Sequence, residues 1–366
     1  MENSSRYRRW LDDMQLGHPL TIAGPCSAET EEQVLETARR LTGGRVTVFR
    51  AGVWKPRTQP GNFEGIGKFA LPWLQRVREE TGLEPLIEVA TPYHVEEALR
   101  HGIRMMWIGA RTSANPFAVQ EVAEALKGNR DVIMLVKNPV NPDLNLWIGA
   151  VERILRAGIE NIGVIHRGFS VYQKTPYRNK PKWQIPLGFK RQLPGIPMII
   201  DPSHICGRRD CIFDIAQMAL DLQYDGVMIE SHRDPDHAWS DARQQVTPEE
   251  LHDIIHRLMV RKPKAEDDIH RENLRAHRRH IDILDEQILE LLAQRMEVVR
   301  EIGRIKRAQN ISLLQPDRWN KVYNRAIDFA KQNRLNPEFI KSVFSAIHEE
   351  SIWQQKNGKK PGLHHD

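Results

Sequence analysis

Eight short runs of apolar, β-branched-rich sequence recur between residues 20 and 231, and helical patterns fill most of the gaps between them. The runs are LTIAG (20–24), VTVFR (46–50), PLIEVA (85–90), MMWIGA (105–110), VIMLVK (132–137), IGVIHR (162–167), PMIID (197–201) and GVMIES (226–231). They are nearly continuous in apolar residues. A strand with one wet face alternates, whereas a parallel strand covered on both faces does not. Among the gaps, ETEEQVLETARRL (29–41) and TPYHVEEALRHG (91–102) carry helical spacing, the first with a Ser/Thr start and the second with a glycine stop. Eight βα units in about 240 residues predict an α/β chain folded as a (β/α)8 barrel. A doubly wound open sheet is the alternative, but no Gly-x-Gly-x-x-Gly turn follows any run.

The barrel reading gives the polar residues a register. Cys26 follows run 1, Arg50 and Lys55 end run 2, and Arg111 follows run 4. Lys137 ends run 5, Arg167 ends run 6, His204 follows run 7 and Glu230 ends run 8. All strand C-termini of such a barrel open onto one face, where catalytic groups gather. Singly each residue reads as ordinary: a buried thiol, a satisfied core histidine, a solvated cation. Scattered surface cations would not fall at one strand end after another, so the group points to a site. Cys26, His204, Glu230 and Asp241 offer a thiolate, an imidazole and two carboxylates, a donor set suited to a divalent transition ion. Arg50, Lys55, Arg57, Arg111, Lys137 and Arg167 supply the cations that small phosphorylated substrates need.

Beyond residue 260 the pattern changes. RKPKAEDDIHRE (261–272) reads as a polar linker, and from 273 apolar residues take up helical spacing. The expected organisation is a barrel over 1–260, the linker over 261–272, an all-α domain over 273–357 and a disordered tail over 358–366. The first helix, 273–309, is too long to cover its own apolar stripe and predicts pairing with a second copy. Two shorter helices, near 316–332 and 337–356, begin with Pro316 and Pro337 in first-turn positions. Arg295 interrupts the apolar stripe of the long helix, and Lys306 lies about three turns on, on nearly the same face. Arg278 points elsewhere, as a residue serving another copy's site would. Ser351 and Gln355 continue the stripe of Ile340, Phe344 and Ile347. Cations and neutral polar groups on inward faces predict an internal pocket for an anion.

Charge and cysteine content narrow the remaining classes. Residues 261–366 hold 21 Lys+Arg against 16 Asp+Glu, which accounts for the whole net charge of +5. That segment contains no Lys/Arg block longer than two and no nucleic-acid motif, so a nucleic-acid-binding appendage is not expected. No apolar run approaches a membrane span, and MENSSRYRRWLDD has no signal-peptide core. Three cysteines form no disulfide framework, and Cys206 and Cys211 read as structural or incidental. A cytoplasmic protein is expected.

At these motifs the chain resembles 3-deoxy-D-arabino-heptulosonate-7-phosphate (DAHP) synthase of the type I beta-like kind, fused to a C-terminal all-helical chorismate mutase. The synthase resemblance runs over about 15–258 through AGPCS, KPRTQPGNFEG, IGAR, LVKN, HRG, DPSH and the Glu230-to-Asp241 segment, in family order. It implies a metal-dependent (β/α)8 enzyme condensing phosphoenolpyruvate with erythrose 4-phosphate, the first step of the shikimate pathway. The implied metal ligands are Cys26, His204, Glu230 and Asp241, with Mn2+, Co2+, Fe2+ or Zn2+ as the ion. Arg111, Lys137 and Arg167 match the phosphoenolpyruvate phosphate cradle. Arg50 and Lys55 match its carboxylate and reaction centre, and Arg57 and Thr58 match the aldose phosphate contacts. Lys55 and His204 are implied proton carriers. TSAN (112–115) departs from the tetrapeptide many members carry after GAR. KPRT and the appended segment argue against the sister octulosonate-8-phosphate synthase.

The mutase resemblance covers about 270–356. It implies that Arg278, from a partner subunit, together with Arg295, Arg318 and Ser351 binds chorismate. Lys306 and Gln355 would hydrogen-bond the ether oxygen as chorismate rearranges to prephenate. Gln315 stands where many members have Asp, and Trp319 replaces the usual Glu that holds the substrate hydroxyl. A homodimer or higher homo-oligomer through the C-terminal helices follows, with feedback by prephenate or chorismate. The alternative is a purely regulatory, catalytically weak mutase-like module.

Overall fold

The computed structural model describes residues 7, 9–13, 19–55, 61, 63–172, 174–262 and 267–357. The chain divides into two compact units, Met1–Pro263 and Lys264–Asp366. Arg57, Thr58 and the expected tail at 358–366 lie outside the described residues.

The first unit is a closed parallel barrel. Its strands are β1 (Leu20–Gly24), β2 (Val48–Arg50), β3 (Glu84–Val89), β4 (Met105–Ile108), β5 (Ile133–Lys137), β6 (Ile162–His166), β7 (Met198–Ile200) and β8 (Gly226–Glu230). Each pairs with its sequence neighbours, and β1 closes the ring on β8 with Leu20 opposite Gly226 and Gly24 opposite Glu230. Seven of the eight strands are buried at every position, and β3 alone among them shows partly exposed positions, as two covered faces demand. The barrel interior is filled by residues such as Ile22, Val48, Leu86, Trp107, Leu135 and Met228. Trp10, from the short helix α1 (Arg9–Asp13), joins that cluster and donates from Nε1 to the Ile162 carbonyl at 3.1 Å. Ile162 begins β6, so Trp10 sits at the end of the barrel opposite the strand C-termini.

The surrounding helices are α2 (Glu31–Leu41), α3 (Leu71–Thr81), α4 (Pro92–Arg100), α5 (Pro116–Leu126), α6 (Leu144–Arg156), α7 (Gln184–Gln192), α8 (Pro202–Cys206), α9 (Ile212–Asp221) and α10 (Pro248–Arg257). Their starts are written in side chains that satisfy orphan N–H groups. Thr30, Thr91, Asn115 and Asp143 cap α2, α4, α5 and α6, and Thr247 with Glu250 forms a capping box on α10. Cys206, at the end of α8, is joined to Cys211, just before α9, with Cα atoms 6.1 Å apart.

The second unit holds α11 (Asp268–Ala308), α12 (Pro316–Gln332) and α13 (Pro337–Asn357). With 41 residues α11 is about 60 Å long. It begins inside the stretch expected as linker. The Asp267 carboxylate caps it by accepting from His270 N at 2.8 Å, and Asp268 pairs with Arg271 at 2.7 Å. Charge pairs and a cap start this helix without an apolar stripe, which is why periodicity places its beginning late. The α13 helix packs on both α11 and α12. At Gly303 a Cβ would come within 2.8 Å of the Gln355 Cα and carbonyl oxygen, so glycine lets α11 and α13 touch. Among the described residues no helix is long and apolar enough to cross a membrane.

Candidate active site

The barrel site starts at Gly24. Its φ of +141° is open to glycine, and a Cβ there would collide with the Arg50 carbonyl. The chain can therefore leave β1 hard against β2 and carry Cys26 over the strand ends. Cys26 N donates to Gln245 Oε1 at 2.9 Å, and Cys26 Sγ lies 3.3 Å from Asp241 Oδ2. Ligand atoms of Cys26, Glu230 and Asp241 all lie within 4.8 Å of one another. His204 stands beside this trio, with Nε2 3.8 Å from Glu230 Oε1. The structure thus gathers three of the four expected ligands tightly and holds the fourth at their edge.

The donor set fits a divalent transition ion. Burial, reinforced by Glu230, pushes the Cys26 thiol up to about 12, so the sulfur keeps its proton until a cation offsets that cost. Glu230 is fully buried, and its Oε1 lacks a well-directed hydrogen bond among the described residues. Burial works against the Glu230 charge, but nearby positive charge, the Arg50 guanidinium and the Lys55 ammonium among it, outweighs burial and holds the carboxylate below its usual range. His204 is held neutral by burial, and Asp201 fixes its ring through Nδ1 at 2.9 Å. That tautomer leaves Nε2 as a lone pair facing the trio.

The cations converge on the same mouth. Lys55, Arg111, Lys137, Arg167, His204 and Asp241 line one cavity, together with Glu88 and Arg178. Lys55 Nζ donates to the Cys26 carbonyl at 2.8 Å and lies 3.0 Å from Cys26 Sγ. Burial opposes its charge, but nearby negative charge, the Glu230 and Glu88 carboxylates among it, outweighs burial and raises it. Lys137 Nζ bonds Asp201 Oδ2 at 2.8 Å, which leaves Asp201 serving both Lys137 and His204. Arg167 is pulled down by burial to about 10 and remains a cation at neutral pH. Beneath the cavity Arg50 is buried against Glu230, and its Nε and Nη1 have no hydrogen-bond partner among the described residues. Arg50 and Lys137 both lie over the Trp107 ring, 5.1 and 5.4 Å from its centroid.

Several residues at this site carry no separate signal in the sequence reading. Asp201 lies inside DPSH, and Gln244 and Gln245 lie inside the Glu230-to-Asp241 segment and its continuation, so the motifs contain them without naming their tasks. Glu88, in PLIEVA one residue before the end of β3, and Arg178, in the loop after β6, lie outside the motifs that carry the family resemblance.

In the helical unit Arg295 Nη1 donates to Ser351 Oγ at 2.6 Å, and Lys306 Nζ donates to the Leu313 carbonyl at 2.7 Å. Lys306, Ser351 and Gln355 are buried, and Gln355 Oε1 has no partner among the described residues. Arg295 and Arg318 line one groove with Lys321 and Arg325. Arg278 is exposed on the N-terminal half of α11, 17 residues or about 25 Å from Arg295 along the helix. Gln315 is the N-cap residue of α12 yet makes no capping bond. Trp319 stacks on His348 with ring centroids 3.9 Å apart.

Residues 14–262 match the DAHP synthetase I family. The chain belongs to that family. Residues 277–356 match chorismate mutase type II, so a DAHP synthase domain is followed by a chorismate mutase domain. A phospho-2-dehydro-3-deoxyheptonate aldolase of Thermotoga maritima is 28% identical over 250 residues, covering 68% of this chain and 72% of that protein. A 2-dehydro-3-deoxyphosphooctonate aldolase of Desulfatibacillum aliphaticivorans is 28% identical over 281 residues, covering 68% of this chain and 94% of its own. The crystal structure of the Thermotoga maritima heptonate aldolase superposes with a TM-score of 0.59 at 26% identity, covering 65% of this chain and 67% of that one. The DAHP synthase domain is an enzyme domain with its strand C-termini carrying the polar cluster described above.

Proposed function

We propose that the barrel condenses phosphoenolpyruvate with erythrose 4-phosphate to give DAHP, and that the helical unit rearranges chorismate to prephenate. The observation that carries the first half is the convergence of Lys55, Arg111, Lys137 and Arg167 with His204 and Asp241 on one cavity. In this reading Arg111, Lys137 and Arg167 take the phosphate of phosphoenolpyruvate. The unpartnered Nε and Nη1 of Arg50 receive its carboxylate, because a buried guanidinium with spare donors is best satisfied by an anion. Arg57 and Thr58, in KPRT, take the aldose phosphate. Holding two charged substrates in one orientation replaces a bimolecular encounter with an intramolecular one.

Cys26, His204, Glu230 and Asp241 would hold a divalent Mn2+, Co2+, Fe2+ or Zn2+ ion, which supplies Lewis-acid polarisation of the aldehyde. Lys55 Nζ, kept charged by its surroundings, carries the proton that the aldehyde oxygen takes up as the carbon–carbon bond forms. Both heptonate and octonate aldolases are among the relatives. KPRT at 55–58 and the appended mutase domain favour the four-carbon aldose.

In the helical unit Arg295, Arg318 and Ser351 would grip the carboxylates, and Lys306 and Gln355 would hydrogen-bond the ether oxygen as its charge grows. The site is completed by a second chain in this proposal. Ile281, Leu284 and Ile288 of α11 are about half exposed in the single chain, and Arg278 lies on the same uncovered half. Prephenate or chorismate bound there is proposed to restrain the synthase. A second reading, a regulatory module with weak mutase turnover, is favoured by one observation: Trp319 stacks on His348 where this family usually places an acid.

The test is an assay of the full-length protein with each substrate set, with and without chelator. Condensation that stops on chelation and returns with Mn2+ or Co2+ is expected. Full condensation by rigorously metal-free protein overturns the metal reading, and a five-carbon aldose preferred over erythrose 4-phosphate overturns the substrate reading.

A further inference from the structure

We infer that Arg178 and Asn179 act as positioning residues that assemble the metal site, tying the His204 helix and the Asp241 loop together from a third loop. The inference rests on the metal reading proposed above. Neither residue offers a metal ligand, yet bonds from this adjacent pair reach two of the four proposed ligands directly and a third through one intermediary.

Asn179 works on the His204 side. Its Nδ2 donates to the His204 carbonyl at 2.7 Å, and its backbone N donates to the Ile205 carbonyl at 3.1 Å. Arg178 N adds a bond to the Cys206 carbonyl at 3.3 Å, so the pair grips three consecutive carbonyls at the C-terminal end of α8. Arg178 works on the Asp241 side. Its Nη1 donates to Asp241 Oδ1 at 2.9 Å and to Gln244 Oε1 at 2.7 Å. Gln244 Nε2 in turn donates to Glu230 Oε2 at 2.7 Å.

Two details argue that this contact sets the ligand geometry. With Oδ1 taken by the guanidinium, Oδ2 is the oxygen Asp241 presents to Cys26 Sγ. Asp241 also sits at φ 49°, a left-handed backbone that a side chain adopts only at some cost, so its loop needs an external hold. The space for that hold is reserved at the end of α8. Gly207, at φ +69°, would place a Cβ 2.6 Å from Arg178 Cβ and 3.1 Å from its Cδ, so only glycine lets the arginine stem pass. The Arg178 side chain is 45% exposed, and an ion pair so open to water adds little to fold stability. Orienting a ligand is a different task, and losing such an outer contact typically weakens metal affinity about 10- to 100-fold.

The experiment titrates the full-length apoprotein with Co2+, following the thiolate-to-cobalt absorption band and the d–d bands. Arg178→Met is expected to bind Co2+ about 10- to 100-fold more weakly, with altered d–d bands and an unchanged urea midpoint of the apoprotein. Arg178→Lys, which keeps the charge but not the planar fork, is expected to fall between, and it serves if the Met variant does not fold. In an Asp241→Ala/Gln244→Ala background, which removes both side-chain acceptors of Arg178, Arg178→Met is expected to have no further effect. Wild-type affinity and spectrum in the Met variant overturn the inference, and so do losses that multiply when Arg178→Met is added to that background. A raised aldose KM with cobalt affinity intact makes Arg178 a substrate contact and overturns it as well. Wild-type protein that binds no Co2+ overturns the metal reading itself.

Discussion

Arg50 Nη2 lies 3.0 Å from Oε1 of Glu230, with the two side chains 1% and 0% exposed. Each makes the other tolerable out of water. A buried pair of this kind is poor evidence for net stability, but removing one partner strands the other. Arg50→Met should therefore destabilise the metal-free protein by about 3–5 kcal/mol, read from the urea midpoint. The double variant Arg50→Met/Glu230→Leu should recover much of that loss while losing synthase activity. A single-variant loss below about 1 kcal/mol would show that Glu230 is protonated in the fold.

His166 makes a second testable demand on the barrel. Its Nε2–H donates to the Pro181 carbonyl at 2.7 Å, and its Nδ1 accepts from the Tyr224 hydroxyl at 3.0 Å. Both nitrogens are used by the neutral ring. Burial pulls its pKa down from 6.5 to about 3. The unfolded chain then binds a proton in that window that the folded chain refuses. The contribution of His166 is complete above pH 6.5 and is lost as pH falls from 6.5 toward about 3. The slope is at most about 1.4 kcal/mol per pH unit. NMR should find the His166 ring neutral at pH 5, and denaturation of His166→Gln should lack this slope. A ring that titrates near 6.5 contradicts the burial argument.

The barrel and most of its site are legible in the sequence for a physical reason. Parallel strands covered on both faces must be apolar throughout, and α11, α12 and α13 must repeat near 3.6, so each announces its type. The site follows from barrel geometry, because a residue at a strand C-terminus can only face one mouth. What stays hidden is what depends on packing alone. Five residues of α1 are too few to show a period, although Trp10 completes the barrel interior. Arg178 and Asn179 sit in a loop with no pattern, and their contacts to His204 and Asp241 exist only once β6, β7 and β8 are side by side. Asp201 is visible as a letter of DPSH, but its double service to Lys137 and His204 is not.

Arg111 is expected to matter to one substrate more than the other. Arg111→Ala should weaken phosphoenolpyruvate binding by about 1.5–3 kcal/mol, roughly ten- to a hundred-fold, with a smaller effect on the aldose. Separate KM or binding measurements for the two substrates check this. Equal losses would make Arg111 a structural residue of the loop after β4.

The proposed mutase site should be shared between two chains. Arg278 lies about 25 Å along α11 from Arg295. Arg278→Ala and Lys306→Ala should each lack mutase activity. Mixing them under exchange conditions should restore some, because half of the sites in a mixed dimer are intact. No recovery in demonstrably mixed dimers would count against a shared site.

The last expectation is coupling between the two domains. A (β/α)8 barrel is a complete enzyme scaffold, and a free mutase would serve a pathway equally well, so their fusion in one chain points to control. The coupling required is modest, since allosteric effects are typically about 1–3 kcal/mol, or 5- to 150-fold. Prephenate bound among Arg295, Arg318 and Lys306 should lower the synthase rate of the full-length protein. A truncated form ending near Lys262 should keep synthase activity and lose that inhibition. Linkage adds a second readout: phosphoenolpyruvate should change prephenate affinity by the same factor that prephenate changes phosphoenolpyruvate affinity. Inhibition in both forms would place the regulatory site in the barrel. Inhibition in neither would leave the fusion a matter of stability or co-expression, with the groove at Arg295 serving catalysis alone.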